Sequence, residues 1–362
     1  MAARSKLTTW LDAAPAWVMT TYAGSVGFAV YFCMYAFRKP FAAASFAGEH
    51  LFGTGIELKT AYVIAQIVGY TLSKYIGVKV CSEIAPERRA RALLVLIVLA
   101  ESALLAFAVL PPSLRVFAML ANGLPLGMVW GLVVGFLEGR RTSELLLAML
   151  SCSFIVSSGV VKDVGRALLA AGISEPWMPF VTGVAFLPAF ALSVALLDRI
   201  PRQSDADKAA RTERVPMMAP ERLAFVKQLF VGLAPLLVVY FFVTALRDFR
   251  DNYGIEIFRE LGYGSAPAIF TRTEIPVAVI VMVTLGALYL VKDNRRGLLA
   301  TFGVMLAGAA LLGGSTLLFD AGALSGALWM LCTGLGSYLV YVPFNSVLFD
   351  RMIAHTRIQG TA

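Results

Sequence analysis

Charged residues are scarce in this chain. Asp, Glu, Lys and Arg make up 15% of its 362 residues, whereas hydrophobic residues make up 59% and the mean hydropathy is +0.76. An average soluble domain carries about a quarter charged residues, so this composition excludes an ordinary soluble globular protein. We expect an all-α polytopic membrane protein whose main surroundings are the lipid bilayer.

Histidine and cysteine are also rare, and they are scattered along the chain. There are two histidines and four cysteines, with no CxxC pair: His50, His355, Cys33, Cys81, Cys152 and Cys332. Zinc sites and His-based catalytic triads need such side chains grouped, and the sequence shows no phosphate-binding loop or cofactor motif. We therefore predict no metal site, no disulfide, no cofactor and no enzyme activity.

Long apolar runs account for most of the sequence. Ten of them can cross a bilayer as helices: 17–37, 60–80, 92–110, 115–137, 144–170, 177–198, 224–247, 266–291, 298–319 and 324–349. The first run carries Tyr31, Tyr35 and Arg38 and has no small-residue cleavage site. We expect it to be an anchoring first span and not a cleaved signal peptide.

Basic residues recur in every second loop between these runs. They cluster in 79–91, 140–141, 199–222 and 292–296. Because loops rich in Lys and Arg stay in the cytoplasm, this pattern predicts a cytoplasmic N-terminus in a bacterial inner membrane. The net charge of +8 then reflects topology, and no nucleic-acid partner is expected.

A single long polar interval divides the chain. Residues 201–222 alternate in charge sign and carry no apolar run, which is typical of a linker. We predict an N-terminal six-helix bundle in 1–200, a cytoplasmic linker in 201–222 and a C-terminal bundle of four helices in 223–362.

The two sides of this linker are related by a repeat. Tyr31, Tyr35 and Arg38 are spaced i, i+4, i+7, and so are Tyr240, Thr244 and Arg247, at a constant offset of 209 residues. Further markers recur at an offset of 211, among them Gly123 with Gly334 and Trp130 with Tyr341. A nearly constant offset in the same orientation predicts a parallel repeat of six-helix units.

The repeated arginines predict an anion site between the two halves. Arginine stays charged at cellular pH and binds phosphate or carboxylate with a planar fork of donors. Lys74 lies deep in the second span, where a cation faces a cavity or a partner, and Lys162 lies on a polar face of the fifth. The alternatives are that Arg38 and Lys74 extend to the interface and that an aspartate beside Arg247 neutralises it. Glu101 in the third span is expected to be a structural polar contact, with a role in coupling as the alternative.

Short motifs link the chain to a known superfamily. YFCMYAFRKPF at 31–41 and GYTLSKYIG at 69–77 resemble the first and second helices of organophosphate:phosphate antiporters in the major facilitator superfamily. The first motif is also similar to that of a less characterised group of bacterial facilitator-like proteins. The antiporter resemblance implies a major-facilitator-type fold in which Arg38 and Arg247 bind phosphate and Lys74 assists.

Two departures limit what this resemblance carries over. Glu83 stands where the superfamily's loop between helices two and three has an aspartate, and 151–159 contain no counterpart of the antiporters' fifth-helix histidine. Proton coupling therefore does not follow from the resemblance. The repeat also aligns residue 362 with about 151, so we expect the last two spans to be missing, with a true ten-helix protein as the alternative.

These observations predict a monomeric secondary transporter of a small anion, phosphate or an organophosphate, working by alternating access. The substrate-binding residues expected are Tyr31, Tyr35, Arg38, Lys74, Lys162, Tyr240 and Arg247. The alternative is a transporter-like sensor that binds such an anion without moving it.

Overall fold

The computed structural model describes residues 5–203, 207 and 219–356, and in these ranges it contains helices and no β-strand. The predicted linker lies largely outside them. The α-helices in chain order are α1 Lys6–Ala13, α2 Ala16–Met34, α3 Leu58–Glu83, α4 Arg89–Val109, α5 Arg115–Leu137, α6 Ser143–Ala170, α7 Met178–Leu197, α8 Ala219–Asn252, α9 Gly254–Glu260, α10 Ile269–Leu290, α11 Asn294–Asp320, α12 Gly326–Ser346 and α13 Leu348–Thr356.

Nine helices of the described chain are long and apolar enough to cross a membrane: α2, α4, α5, α6, α7, α8, α10, α11 and α12. The predicted second span is present as α3, a helix of 26 residues. It is more polar than the others because Lys59, Gln66 and Lys74 interrupt its apolar residues.

The described residues form two compact units. Unit 1 comprises 1–138, 153–202 and 252–275, and unit 2 comprises 139–152, 203–251 and 276–362. Unit 1 thus contains α1 to α5, α7, most of α6, α9 and the first turns of α10. Unit 2 contains the start of α6, most of α8, the rest of α10, and α11 to α13.

Glycines set the closest helix contact in unit 1, between α3 and α5. A methyl group at Gly69 would overlap the Leu120 carbonyl, and one at Gly123 would overlap the Gln66 carbonyl. The two backbones therefore touch, as small residues permit in membrane helices. A neighbouring aromatic cluster of Phe46, Tyr62 and Phe107, with centroids 5.0–5.9 Å apart, packs edge to face.

In unit 2, glycines likewise allow close contact between two helices, α11 and α12. Cβ atoms built at Gly308 and Gly336 would each lie under 3 Å from the other glycine's carbonyl oxygen. Arg351 in α13 donates to the Val291 carbonyl at 2.6 Å and to Glu144 at 3.1 Å. These contacts hold α13 against the end of α10 and the start of α6.

The first span ends earlier than its side-chain pattern predicts. The α-helix stops at Met34, a 3₁₀ turn covers Tyr35–Phe37, and Pro40 opens a second 3₁₀ turn. Proline cannot continue a helix because it lacks the N–H and crowds the preceding turn. The expectation that Tyr31, Tyr35 and Arg38 share one α-helical face is therefore wrong for Arg38, which follows the helix. Its proposed counterpart Arg247 does lie within a helix, α8.

Candidate functional site

Arg38 lies in a buried aromatic cluster of unit 1. Arg38 is only 6% exposed. Its guanidinium carbon is 4.1 Å from the Tyr70 ring centroid and 5.8 Å from the Tyr35 ring centroid. Tyr31 packs on Tyr35 at 5.7 Å and on Trp130 at 5.0 Å. Tyr31, Tyr35 and Arg38 thus lie in one cluster, although Arg38 follows the helix, and α3 and α5 add Tyr70 and Trp130.

Lys74 joins the same cluster through Tyr70. It lies one turn further along α3, is exposed, and its ammonium nitrogen is 5.1 Å from the Tyr70 centroid. A tyrosine ring attracts cations through its negative face. One ring therefore interacts with two positive charges.

Two buried amides fix the chain where the first span breaks. Gln66 donates to the Arg38 carbonyl at 3.0 Å and to the Asn122 side-chain oxygen at 2.8 Å. Asn122 in turn donates to the carbonyls of Phe37 and Ala100, both at 3.0 Å. The broken helix end leaves carbonyls without helical partners, and these amides supply the missing donors.

Unit 2 contains a second tyrosine and arginine cluster. Tyr240 stacks on Tyr341 at 5.4 Å and lies 5.0 Å from Phe344. The Arg247 guanidinium carbon is 4.1 Å from the Tyr341 centroid, and one of its nitrogens is 2.6 Å from the Asp248 carboxylate. The alternative that a neighbouring aspartate pairs with Arg247 is therefore confirmed.

The two clusters reproduce one contact of the predicted repeat. Tyr31 on Trp130 in unit 1 and Tyr240 on Tyr341 in unit 2 join residues that the offsets of 209 and 211 relate. The arginine contacts are less alike, because Arg38 lies on a ring of α3 whereas Arg247 lies on a ring of α12.

Lys162 lies elsewhere in unit 1. It is 2% exposed, and its ammonium nitrogen is 4.6 Å from the Phe270 centroid at the start of α10. On the next turn of α6, Arg166 donates to the carbonyls of Gly264 at 2.7 Å and Ala266 at 3.1 Å. The structure therefore groups Lys162 with the segment that follows α8, while Arg38 and Lys74 share Tyr70.

That segment, residues 252–275, is bound to the N-terminal elements of unit 1 by polar contacts. Lys59 pairs with Glu256 at 2.5 Å, and Lys39 donates to the Asn252 side chain at 2.9 Å. Lys59 has a side chain only 3% exposed, so this ion pair is largely shielded from solvent on the lysine side. We call residues 252–275 the strap.

A second set of contacts holds the far end of the strap. The Asp163 carboxylate accepts from the backbone N–H of Thr271 at 2.7 Å and from its hydroxyl at 2.6 Å. Asp163 also lies 3.9 Å from Arg166 on its own helix. Sequence reasoning missed the strap because its partners lie about 100 to 210 residues away.

No group of three or more His, Cys, Asp or Glu side chains in the described ranges is arranged to hold a metal ion. The polar groups assembled in the two clusters are arginine, lysine, tyrosine, amides and the Asp248 carboxylate that pairs with Arg247. This donor set binds anions and hydroxyl-bearing solutes through hydrogen bonds and charge, and it offers no nucleophile paired with a base.

Comparison with known proteins identifies the fold and the family. A search of curated proteins finds no match. The solved structure of a D-xylose-proton symporter matches with a TM-score of 0.57 and 13% identity, covering 93% of this chain and 82% of the symporter. A mutant of the nucleoside transporter NupG matches with a TM-score of 0.49 and 12% identity, covering 94% and 92%.

The fold is therefore of the major facilitator type, as the repeat and the motifs predicted. The finer resemblance to organophosphate:phosphate antiporters receives no support from these comparisons. A family model matches residues 40–362, which include both clusters apart from Tyr31, Tyr35 and Arg38. The chain belongs to DUF5690, a family of unknown function.

Proposed function

We propose that this protein is a secondary transporter that moves a small anion across a bacterial inner membrane by alternating access, acting as a monomer with a cytoplasmic N-terminus. The fold supports transport as the activity. The anionic substrate rests on the cations gathered at Tyr70, and phosphate or an organophosphate is the first candidate. Exchange of anions or an ion gradient would drive the movement.

The observation that carries this proposal is the pair of cations on one ring. Arg38 and Lys74 lie 4.1 Å and 5.1 Å from the centroid of Tyr70. Two like charges near one ring repel, and an anion between them relieves the repulsion. A buried cation such as Arg38 commonly marks a substrate pathway in a membrane protein.

The two arginines have different roles in this proposal. Arg38 presents a planar fork of donors to a phosphate or carboxylate. Arg247 already pairs with Asp248 at 2.6 Å, so an arriving anion must compete with that carboxylate. We assign both arginines to the substrate anion, with a contact from Arg247 that depends on the transport state.

Conservative substitutions test this assignment. Arg38→Lys keeps the charge and loses the bidentate fork, so phosphate affinity should fall about ten- to a hundred-fold, the equivalent of roughly 1.5 to 3 kcal/mol for one charge-assisted bond. Arg247→Lys should also weaken phosphate affinity, because it loses the same fork of donors. Lys74→Ala should weaken affinity less than Arg38→Lys, because a lysine acts as a point charge.

The measurement is binding and uptake of inorganic phosphate and of an organophosphate by purified protein in proteoliposomes. Arg295→Lys serves as the matched control, because Arg295 is exposed at the start of α11. Unchanged affinity in both Arg38→Lys and Arg247→Lys would refute the anion site. Anion binding without uptake by the wild type would identify the protein as a sensor.

A further inference from the structure

Glu101 is a buried acid that the anion site does not use. It lies near the middle of α4, and the residue is 8% exposed. Both carboxyl oxygens are buried and form no hydrogen bond within the described part of the chain. The backbone N–H of Val184 in α7 faces the group but does not bond to it at hydrogen-bond geometry.

The neighbouring helix is shaped around this carboxyl group. A Cβ atom added at Gly183 would overlap Oε2 of Glu101. The same added atom would lie 2.7 Å from the carboxyl carbon of Glu101 and 2.9 Å from its Oε1. All three nearest atoms belong to Glu101. α7 therefore leaves room for an acid at this position and supplies no cation to balance it.

Charged and titratable groups near α4 lie at its ends. α7 carries none between 178 and 197, and α5 carries only Arg115, which donates to the Leu110 carbonyl at 3.0 Å. The turn before α4 carries Glu87 and Arg88, and the 3₁₀ turn that packs on α4 carries Tyr35. No side chain of these elements forms a salt bridge with Glu101.

We propose that Glu101 is a proton-binding site, occupied as a neutral carboxylic acid in this conformation. An ionised carboxylate in the middle of a span, without a cation or donors, is strongly disfavoured, and protonation removes the charge. The ligand is a single proton, which binds the carboxylate oxygen and leaves it as the acid. Intramembrane acids of this kind act as proton carriers in transporters.

The backbone next to Glu101 is hydrogen-bonded to the turn that precedes Arg38. Ala100, the residue before Glu101, accepts a bond from Asn122 at 3.0 Å, and the same amide group holds the Phe37 carbonyl at 3.0 Å. Loss of the proton would place a charge beside this anchor and favour movement of α4. The carboxyl group thus links protonation to the position of Arg38, a consequence that rests on the proposed function.

Infrared spectroscopy tests the proton site without any substrate. The carbonyl stretch of a protonated carboxylic acid, which a carboxylate lacks, should be present in the wild type and lose intensity in Glu101→Gln. Glu260→Gln, which changes an exposed acid at the end of α9, should leave that band unchanged. Identical acid bands in the wild type and Glu101→Gln would overturn the proposal.

Two further variants keep the test decisive if Glu101→Gln fails to fold. Glu101→Asp retains the acid on a shorter side chain, and Gly183→Ala presses a methyl group against it. Both should shift the acid band in frequency. A band unmoved in both variants would show that it arises from another residue.

Transport measurements then test the coupling. In proteoliposomes, Glu101→Gln should lose phosphate accumulation driven by a proton gradient and retain phosphate exchange at equilibrium. Accumulation equal to that of the wild type would overturn the coupling. Absence of phosphate transport by the wild type would overturn the proposed function and the coupling with it, while the infrared difference would still decide whether Glu101 binds a proton.

Discussion

The Asn122 side chain makes three hydrogen bonds close to the candidate site. It is 0% exposed, donates to two carbonyls and accepts from Gln66. The carbonyl of Phe37 belongs to the turn that ends the first span, and Arg38 follows it directly. Position 122 therefore connects three helices to the arginine that we assign to the anion.

Asn122→Ala should destabilise the protein and weaken phosphate binding together. It leaves the Phe37 carbonyl and a Gln66 donor buried without partners, at about 1–3 kcal/mol for each unsatisfied group. Thermal unfolding in detergent measures the first effect. Ser102→Ala, which removes one exposed bond within α4, is the control and should change stability little. An unaltered melting temperature in Asn122→Ala would contradict the anchoring role.

The sequence placed some members of this cluster and missed others for a physical reason. Tyr31 and Tyr35 are neighbours because residues four apart face the same side of a helix. Tyr70, Gln66 and Asn122 come from other helices, and single-sequence periodicity carries no information on which helices pack. Gln66 and Asn122 were nevertheless detectable as amides inside apolar runs, which membrane helices tolerate only with partners.

The strap is the element whose contacts most directly bear on alternating access. It follows α8, yet its polar contacts are with the loop after α2, the start of α3 and the C-terminal half of α6. Its packing is incomplete, since a cavity of about 210 Å³ lies among Ala43, Arg166, Phe258 and Phe270. Movement of the strap would separate these polar contacts and the contact of Ile255 with the hydrophobic core of unit 1.

A cross-link between the strap and the first loop should therefore stop transport. Lys39 and Asn252, whose side chains bond at 2.9 Å, are to be replaced by cysteine in a background lacking the four native cysteines. Oxidation should abolish uptake, and a reducing agent should restore it. The single variants Lys39→Cys and Asn252→Cys should not respond to oxidant. Full uptake by the cross-linked protein would show that the strap does not move.

Element boundaries were predicted less well than the elements themselves. The strap helix α9 was not predicted, because the seven residues Gly254–Glu260 are too short to show a period. The last predicted span, 324–349, divides into α12 and α13 at Val347, whose backbone leaves the helical region at φ −126°. In contrast, α5 begins and ends at the predicted residues 115 and 137.

At the scale of the whole molecule, composition determined the class of protein and little more. Apolar side chains remain exposed on α8, α10 and α11, which fits a surface that meets lipid. In the most apolar stretch of α8, only 11% of the residues are buried. Which side of each helix faces lipid follows from helix packing, and the substrate follows from a few polar contacts. Neither can be read from hydropathy alone.

Membrane orientation is testable on the whole molecule. The distribution of basic residues predicts that the strap lies outside the cell and the turn before α11 lies inside. A membrane-impermeant maleimide applied to intact cells should label Glu260→Cys and should label Arg295→Cys only after the membrane is opened. Both positions are exposed, so access is set by topology. The opposite pattern of labelling would invert the predicted orientation.

The polarity of α3 also constrains how the chain enters the membrane during synthesis. A segment with lysine and glutamine inside its apolar core partitions poorly into lipid when it emerges alone. Its glycine contact with α5 supplies the surface on which Gln66 is buried against Asn122, and α5 ends 54 residues after α3. Stable insertion of α3 therefore waits for α5, and newly made chains that end before α5 should leave α3 at the membrane surface.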